Sequence, residues 1–192
     1  MAQGDCYAAN RTATNIQLTP TEPQIMKALG DWLETVLPSG WVVLQAQQNR
    51  ATPPIPPFAL MQIISRKRVA TNSREYHDQS VTIIQSLVMT IQVTLYGTGA
   101  GDGAVQLNTA WRDHDAVAFF RDVLPEAAPL YGSEPRQHPF TTAEKQYEDT
   151  WSLDLALHIN SRITRSVESA IQLSMPSTRI VGADRLTDEV DR

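Results

Sequence analysis

One stretch, from Val81 to Tyr96, constrains the fold of this chain more than any other. Its odd-numbered positions are apolar except for Gln85, while most of its even-numbered positions are Thr, Ser or Gln. A period of two with one apolar face is typical of a strand that lies half buried on a core. The stretch is longer than an average strand, so we expect it to bend or to extend past the sheet into a projecting hairpin.

The composition is that of a single globular domain. The chain has 192 residues, of which 42% are hydrophobic, enough for a core. The 19% of charged residues is slightly low, which is consistent with partner subunits covering part of the surface. A net charge of −5 argues against a protein that binds nucleic acid through a basic surface. It is compatible with an acidic surface that DNA passes without binding.

Cysteine usage and hydropathy exclude several other classes. Cys6 is the only cysteine, so an intrachain disulfide and a cysteine-based metal cluster are both excluded. No apolar run approaches the ~20 residues of a membrane span. The first residues lack the basic start and the apolar stretch of a signal peptide. We therefore expect assembly in a cytoplasm-like compartment with no membrane partner.

Upstream of the long strand the pattern predicts a helix and two strands. The helix would begin with Thr19 or Thr21 as its N-cap and end at Pro38-Ser39-Gly40. Strands are predicted at Trp41 to Gln47 and Phe58 to Ser65. The proline-rich segment between them predicts a stiff connector, which we interpret as a hairpin crossing rather than as a polyproline ligand.

Downstream of the long strand two further helices and a second long strand are predicted. Asp102 and Asp115 are the predicted N-caps of the helices, and the second helix would span Ala116 to Val123. Tyr147 to Asn160 alternates in the same way as the long strand and predicts its antiparallel partner. The expected fold class is α+β, with a mainly antiparallel sheet of four or five strands and helices on one face. Residues 19–164 would form this domain, between a flexible arm at 1–18 and an extended tail at 165–192.

The glycine-rich segment Gly99 to Ala104, GAGDGA, matches the G-x-G-x-x-G/A pattern of dinucleotide-binding turns. However, the strand before it alternates, whereas the strands of nucleotide-binding folds are continuously apolar. Too little sequence follows for the βαβ units that such a fold needs. We favour a tight strand-to-helix turn and retain a nucleotide-binding enzyme as the alternative.

No catalytic residue, cofactor site or metal site is predicted. Neighbouring residues of a helix point in different directions, so Asp113-His114-Asp115 cannot converge on one ion. His77, His138 and His158 lack the spacing of metal ligands. Neither a G-x-S-x-G elbow nor an H-E-x-x-H helix occurs, so we predict that the protein is not an enzyme.

The dense basic cluster of the chain lies before the polar loop that spans Ala70 to Ser80. Together the cluster and the loop predict the far end of a long hairpin, which in an oligomer often reaches a neighbouring subunit. A solvated strand end is the alternative. The predicted interface residues are Arg66, Lys67, Arg68, Arg74 and Tyr76.

Several short motifs occur in a distinctive order along the chain. They are Gln48-Asn49-Arg50 with the prolines after it, Gln92 to Gly97 (QVTLYG), Leu130-Tyr131-Gly132, and Gln146-Tyr147-Glu148 leading into Trp151 to Leu155 (WSLDL). This combination resembles the phage neck terminator family, a tail-terminator-like group of long-tailed bacteriophages. Thr94-Leu95 and Thr150 stand where members more often have an aspartate-aromatic pair and an arginine.

The resemblance implies a structural virion protein that forms a ring, usually of six copies, at the head-proximal end of the tail. Such a ring ends growth of the tail tube and joins the tail to the neck connector beneath the portal. The implied partners are further copies, connector proteins, tail-tube and sheath proteins, and viral DNA that passes through the lumen without sequence-specific binding. Assembly would take place in the host bacterial cytoplasm. A different virion ring, such as a head-tail adaptor or a tail-completion protein, is a further alternative.

Overall fold

A computed structural model describes residues 16–47, 54–141 and 147–166 of the chain. The fold is α+β, as predicted. The three helices are α1 Glu22–Val36, α2 Ala100–Trp111 and α3 His114–Val123. The strands are β1 Gln17–Thr19, β2 Val42–Gln45, β3 Phe58–Arg68, β4 Ser73–His77, β5 Ser80–Tyr96, β6 Ala127–Gly132, β7 Arg136–Gln137, β8 Phe140–Thr141, β9 Tyr147–Glu148 and β10 Thr150–Ser166.

Strands β5 and β10 form the centre of the sheet. Each has 17 residues, and they pair antiparallel along their whole length, with Tyr96 opposite Thr150 and Ser80 opposite Ser166. The predicted long strand and its predicted antiparallel partner are thus both confirmed. β10 also continues past Asn160, so residues 165 and 166 of the predicted tail belong to the sheet. Residues 167–192 lie outside the described part of the chain.

The sheet has eight strands within the described residues, five of them in the order β1-β10-β5-β3-β2. The shorter strands β4, β6 and β7 pair beside β5 or β10, and β8 pairs separately with β9. β2 runs parallel to β3, so the predicted hairpin crossing between them is wrong. Two parallel strands run in the same direction, so the chain must cross from the end of the first strand back to the start of the second. The long proline-rich connector between β2 and β3 allows this crossing. β1 includes residues 17 and 18 of the predicted arm, whose residues 1–15 are outside the described chain.

Helix α1 begins at the second of its two candidate caps. Thr21 is the N-cap, with extended backbone, and its N–H donates to Gln24 Oε1 over 2.8 Å in a capping box. The alternative candidate, Thr19, lies in β1 opposite Arg162, so its backbone is committed to the sheet. The helix ends before Pro38, as predicted.

The other two helices begin earlier than predicted, so the predicted caps Asp102 and Asp115 are wrong. Gly99, with φ 85°, is the N-cap of α2, and Asp102 lies inside the first turn. Asp113 caps α3, because its carboxylate accepts the His114 N–H over 2.7 Å. Asp115 is inside that helix. In both places two candidate caps stand within three residues of each other, and the backbone conformation of the first decides the start.

The predicted polar loop from Ala70 to Ser80 contains a strand. β4 pairs antiparallel with the first residues of β5, so that only Asp78 and Gln79 form the turn between them. β3 also extends beyond its predicted end at Ser65 and pairs with β5 as far as Arg68. The far end of the sheet is therefore built of paired strands rather than of a broad loop.

The helices pack on one face of the sheet and share a single core with it. The odd-numbered apolar residues of β5 from Leu87 to Leu95 are buried there, together with those of β10 from Leu153 to Ile159. Trp111 contacts Trp32 edge-on, with 4.9 Å between the ring centroids, and Phe120 with 5.6 Å. Trp32 thus lies in the core, as its helical spacing predicts.

We predict that Trp111→Ala lowers the free energy of unfolding by about 3–5 kcal/mol, because it removes the ring that joins α1, α2 and α3. Tyr131→Ala is the matched control. Its side chain is 64% exposed, so the change should stay within about 0.5 kcal/mol. Urea unfolding followed by circular dichroism measures both. Equal losses for the two variants would show that this cluster is not the centre of the core.

Candidate functional site

Two glycines at the turn between β5 and α2 pack closely against other parts of the chain. Gly97 has φ 104°, and a Cβ there would lie 2.7 Å from the Cβ of Pro56. A Cβ on Gly101 would lie 3.1 Å from two ring atoms of Trp151. The Trp151 indole is itself held, because its Nε1–H donates to Asp149 over 3.0 Å. Gly97 and Gly101 thus allow close packing of the proline connector and of Trp151, whereas a Cβ on Gly99 would meet no atom within 4 Å.

The polar side chains on the sheet face opposite the helices bind one another. Asp154 accepts from Arg136 over 2.7 Å and from Gln92 over 3.2 Å. His138 lies 2.6 Å from the Ser152 hydroxyl. Such mutual hydrogen bonding satisfies these groups and stabilises the sheet. The described residues contain no group of three or more His, Cys, Asp and Glu that could hold a metal ion.

At the end of this face that adjoins the glycine turn, Tyr96 stacks on Phe58 with 4.8 Å between the ring centroids. Burial raises the pKa of the Tyr96 phenol above its ordinary value, so the phenol stays neutral over the physiological range. Both rings therefore act as packing groups in the sheet.

The basic cluster of β3 is divided between the two faces of the sheet. Arg66 and Arg68 lie opposite Met89 and Leu87, on the face that carries the helices. Lys67 points to the other face, because side chains alternate along a strand. A cluster that is dense in the sequence is therefore two separate charged positions in space.

Arg66 already has a partner within the chain. Its guanidinium donates to the Glu22 carboxylate in the first turn of α1. Both side chains are 47% exposed, so the pair contributes little to stability. It nevertheless ties the start of α1 to the end of β3 and leaves Arg66 less available to a neighbour than Lys67 or Arg68.

The other two predicted interface residues lie together on β4. Arg74 and Tyr76 are opposite Ile83 and Val81, so both point to the same side of the sheet as Arg66 and Arg68. Tyr76 is 72% exposed. Tyrosine and arginine are both enriched at protein–protein interfaces.

The sequence gives little warning of an open groove between α1 and α2. Its apolar floor is formed by Val36, Val105 and Ala110, and its volume is about 670 Å³. Val105 is 57% exposed although it lies in a helix. The available signal was an apolar residue on the polar side of the helix.

None of the helices in the described residues is long and apolar enough to cross a membrane.

A model of the phage neck terminator family matches residues 24–181. The chain belongs to this family. This confirms the family resemblance, and the match continues past the end of β10 at Ser166. No curated protein matches the chain.

Membership makes this chain a structural protein of the phage neck or tail. The surfaces described above suit such a protein, since they are an exposed cationic strand end and a shallow apolar groove. Of the motifs that indicated the family, Gln92 to Gly97 and Trp151 to Leu155 lie on the paired strands β5 and β10 and on the turn that follows β5. Gln48-Asn49-Arg50 and Gln146 lie outside the described residues.

We predict opposite effects for two glycine-to-alanine changes in helices of this neck terminator chain. Gly101→Ala should lower the free energy of unfolding by about 1–3 kcal/mol, because the fixed Trp151 ring leaves no room. Gly30→Ala should raise it by up to about 1 kcal/mol, since a Cβ there meets only the end of Met61 at 3.4 Å. Thermal and urea unfolding measure both. A stabilising Gly101→Ala would contradict the packing role of the glycine turn.

Proposed function

We propose that the chain forms a ring, usually of six copies, at the head-proximal end of the tail. There it ends growth of the tail tube and joins the tail to the neck connector beneath the portal. Membership of the phage neck terminator family is the observation that carries this proposal. The proposed partners are further copies of the chain, connector proteins, tail-tube and sheath proteins, and DNA that passes through the lumen.

Two physical properties support a ring. Closed rings are built from head-to-tail contacts, in which each subunit uses two different surfaces. The chain carries such a pair, namely the exposed strand end with Arg68 and Arg74 and the groove between α1 and α2. The net charge of −5 also favours a lumen that repels DNA, so that the genome passes without being held.

The same proposal assigns Arg66, Lys67, Arg68, Arg74 and Tyr76 to a subunit contact. Replacing Arg66, Lys67 and Arg68 with alanine should therefore weaken assembly more than folding. The double change Lys67→Ala/Arg68→Ala separates the effect on assembly from the effect on folding. It removes two contact residues but leaves the Arg66–Glu22 pair intact. Assembly is followed by light scattering and stability by thermal melting. A sharp fall in melting temperature with unchanged assembly of the remaining folded protein would remove these residues from the contact.

Light scattering and negative-stain imaging of the purified full-length chain test the ring itself. A particle with a central hole supports the proposal, and a monomer at high protein concentration contradicts it. Imaging of the assembled virion then distinguishes a terminator from a head-tail adaptor or tail-completion ring by its position. Close packing of Pro56 on Gly97 and of Trp151 on Gly101 gives these two glycines a structural role, which supports a tight turn over the nucleotide-binding alternative.

A further inference from the structure

We propose that adjacent copies in the ring contact each other through two oppositely charged surfaces of the same chain. One is the basic end of the sheet, and the other is the acidic surface of the helices. This inference rests on the proposed ring and names the two faces that each subunit would use.

The basic end is the end of the sheet formed by the last residues of β3 and β10, the first residues of β5, and β4. Cations outnumber carboxylates there: Arg66, Lys67, Arg68, Arg74, Arg162 and Arg165 against Glu75 and Asp78. Arg66 pairs with Glu22, and Arg162 lies 3.9 Å from Glu75. The other four cations form no ion pair with any described residue. Of these four, Arg68, Arg74 and Arg165 lie on the side of the sheet that carries the helices, and Lys67 lies on the other. Unpaired cations that share one face attract an acidic partner over about 10 Å at moderate salt.

The acidic helix surface consists of the three helices with their cap residues. Carboxylates outnumber cations there: Glu22, Asp31, Glu34, Asp102, Asp113, Asp115 and Asp122 against Lys27, Arg112 and Arg121. Lys27 pairs with Asp31 over 2.5 Å. Within the described part of the chain Glu34, Asp102, Asp115 and Asp122 form no ion pair, and all four are exposed. Their charges are therefore available to a neighbouring molecule.

An apolar contact can accompany this charge match. On α2, Asp102 and the exposed Val105 are three residues apart and so share one side of the helix. On β4, Arg74 and the exposed Tyr76 are two residues apart and share one side of the strand. The Tyr76 ring suits the apolar side chains of Val36, Val105 and Ala110 in the groove, whose lining also includes the Asp113 carboxylate. Arg74 suits the exposed Asp102 carboxylate, three residues from Val105 on α2. A buried tyrosine supplies binding energy that screened surface charges do not.

A second copy is the occupant that this charge pattern favours. The two surfaces complement each other but not themselves, so a two-fold dimer would place like charges together at a cost. A head-to-tail contact instead brings opposite charges together at every interface and can close into a ring. DNA would fit only one of the two surfaces, because the carboxylates on the helices repel phosphate.

Two full-length variants with reversed charges test this contact. The first is Arg68→Glu/Arg74→Glu, and the second is Asp102→Arg/Asp115→Arg. When copies of one variant meet, the two contacting surfaces carry the same charge. We therefore expect the association constant of each variant alone to fall at least about tenfold. An equimolar mixture of the two should assemble, because each interface in an alternating ring again joins opposite charges. Native mass spectrometry measures the size of the ring and the ratio of the two chains in it.

Arg121→Glu is the control for a charge reversal on the helix surface, because it keeps that surface acidic and should not weaken assembly. Circular dichroism confirms folding, and Arg74→Glu alone replaces the first variant if that variant does not fold. Variants that assemble like the parent chain, or a mixture that stays dissociated, would overturn this contact while the parent ring still supports the proposed function. A parent chain that remains monomeric overturns the ring and the contact together.

Discussion

The antiparallel pairing of β5 with β10 positions the rest of the fold. It runs without a break along 17 residues of each strand, and every other strand of the main sheet is placed by one of these two or by β3, which itself pairs with β5. Because side chains alternate, a slip of one residue in this register would move the whole apolar set from Leu87 to Leu95 away from the helices. Burial of that set against α1, α2 and α3 fixes the register, and the register in turn sets where each charged side chain points.

This alternation has a direct effect on the surfaces of the neck terminator chain. It places Arg66 and Arg68 on one side of the sheet and Lys67 on the other. Arg74 and Tyr76 lie on the same side as Arg66 and Arg68. Arg66 is paired with Glu22 at the start of α1, while Arg68 and Arg74 remain exposed. The contrast between a basic end and acidic helices thus arises from the same packing that forms the core.

The sequence predicted those parts of the fold whose signal is local and periodic. Alternation identified β5 and β10, and capping and proline signals located α1. Features decided by longer-range geometry were not predictable in this way. The parallel pairing of β2 depends on the path of the connector, and β4, with the sequence SREYH, lacks an apolar face because it lies at an edge. The starts of α2 and α3 were missed because their caps, Gly99 and Asp113, precede the predicted caps by three and two residues. Among the candidate interface residues, the sequence could find the cations but not the face to which each belongs.

The length of the central pair also has a mechanical consequence. At about 3.3 Å per residue, strands of 17 residues extend for roughly 55 Å. A pull along that axis loads the hydrogen bonds between β5 and β10 in shear, so they resist it together rather than opening one after another. A pull on the exposed end of the sheet would thus be transmitted along β5 and β10 to the core.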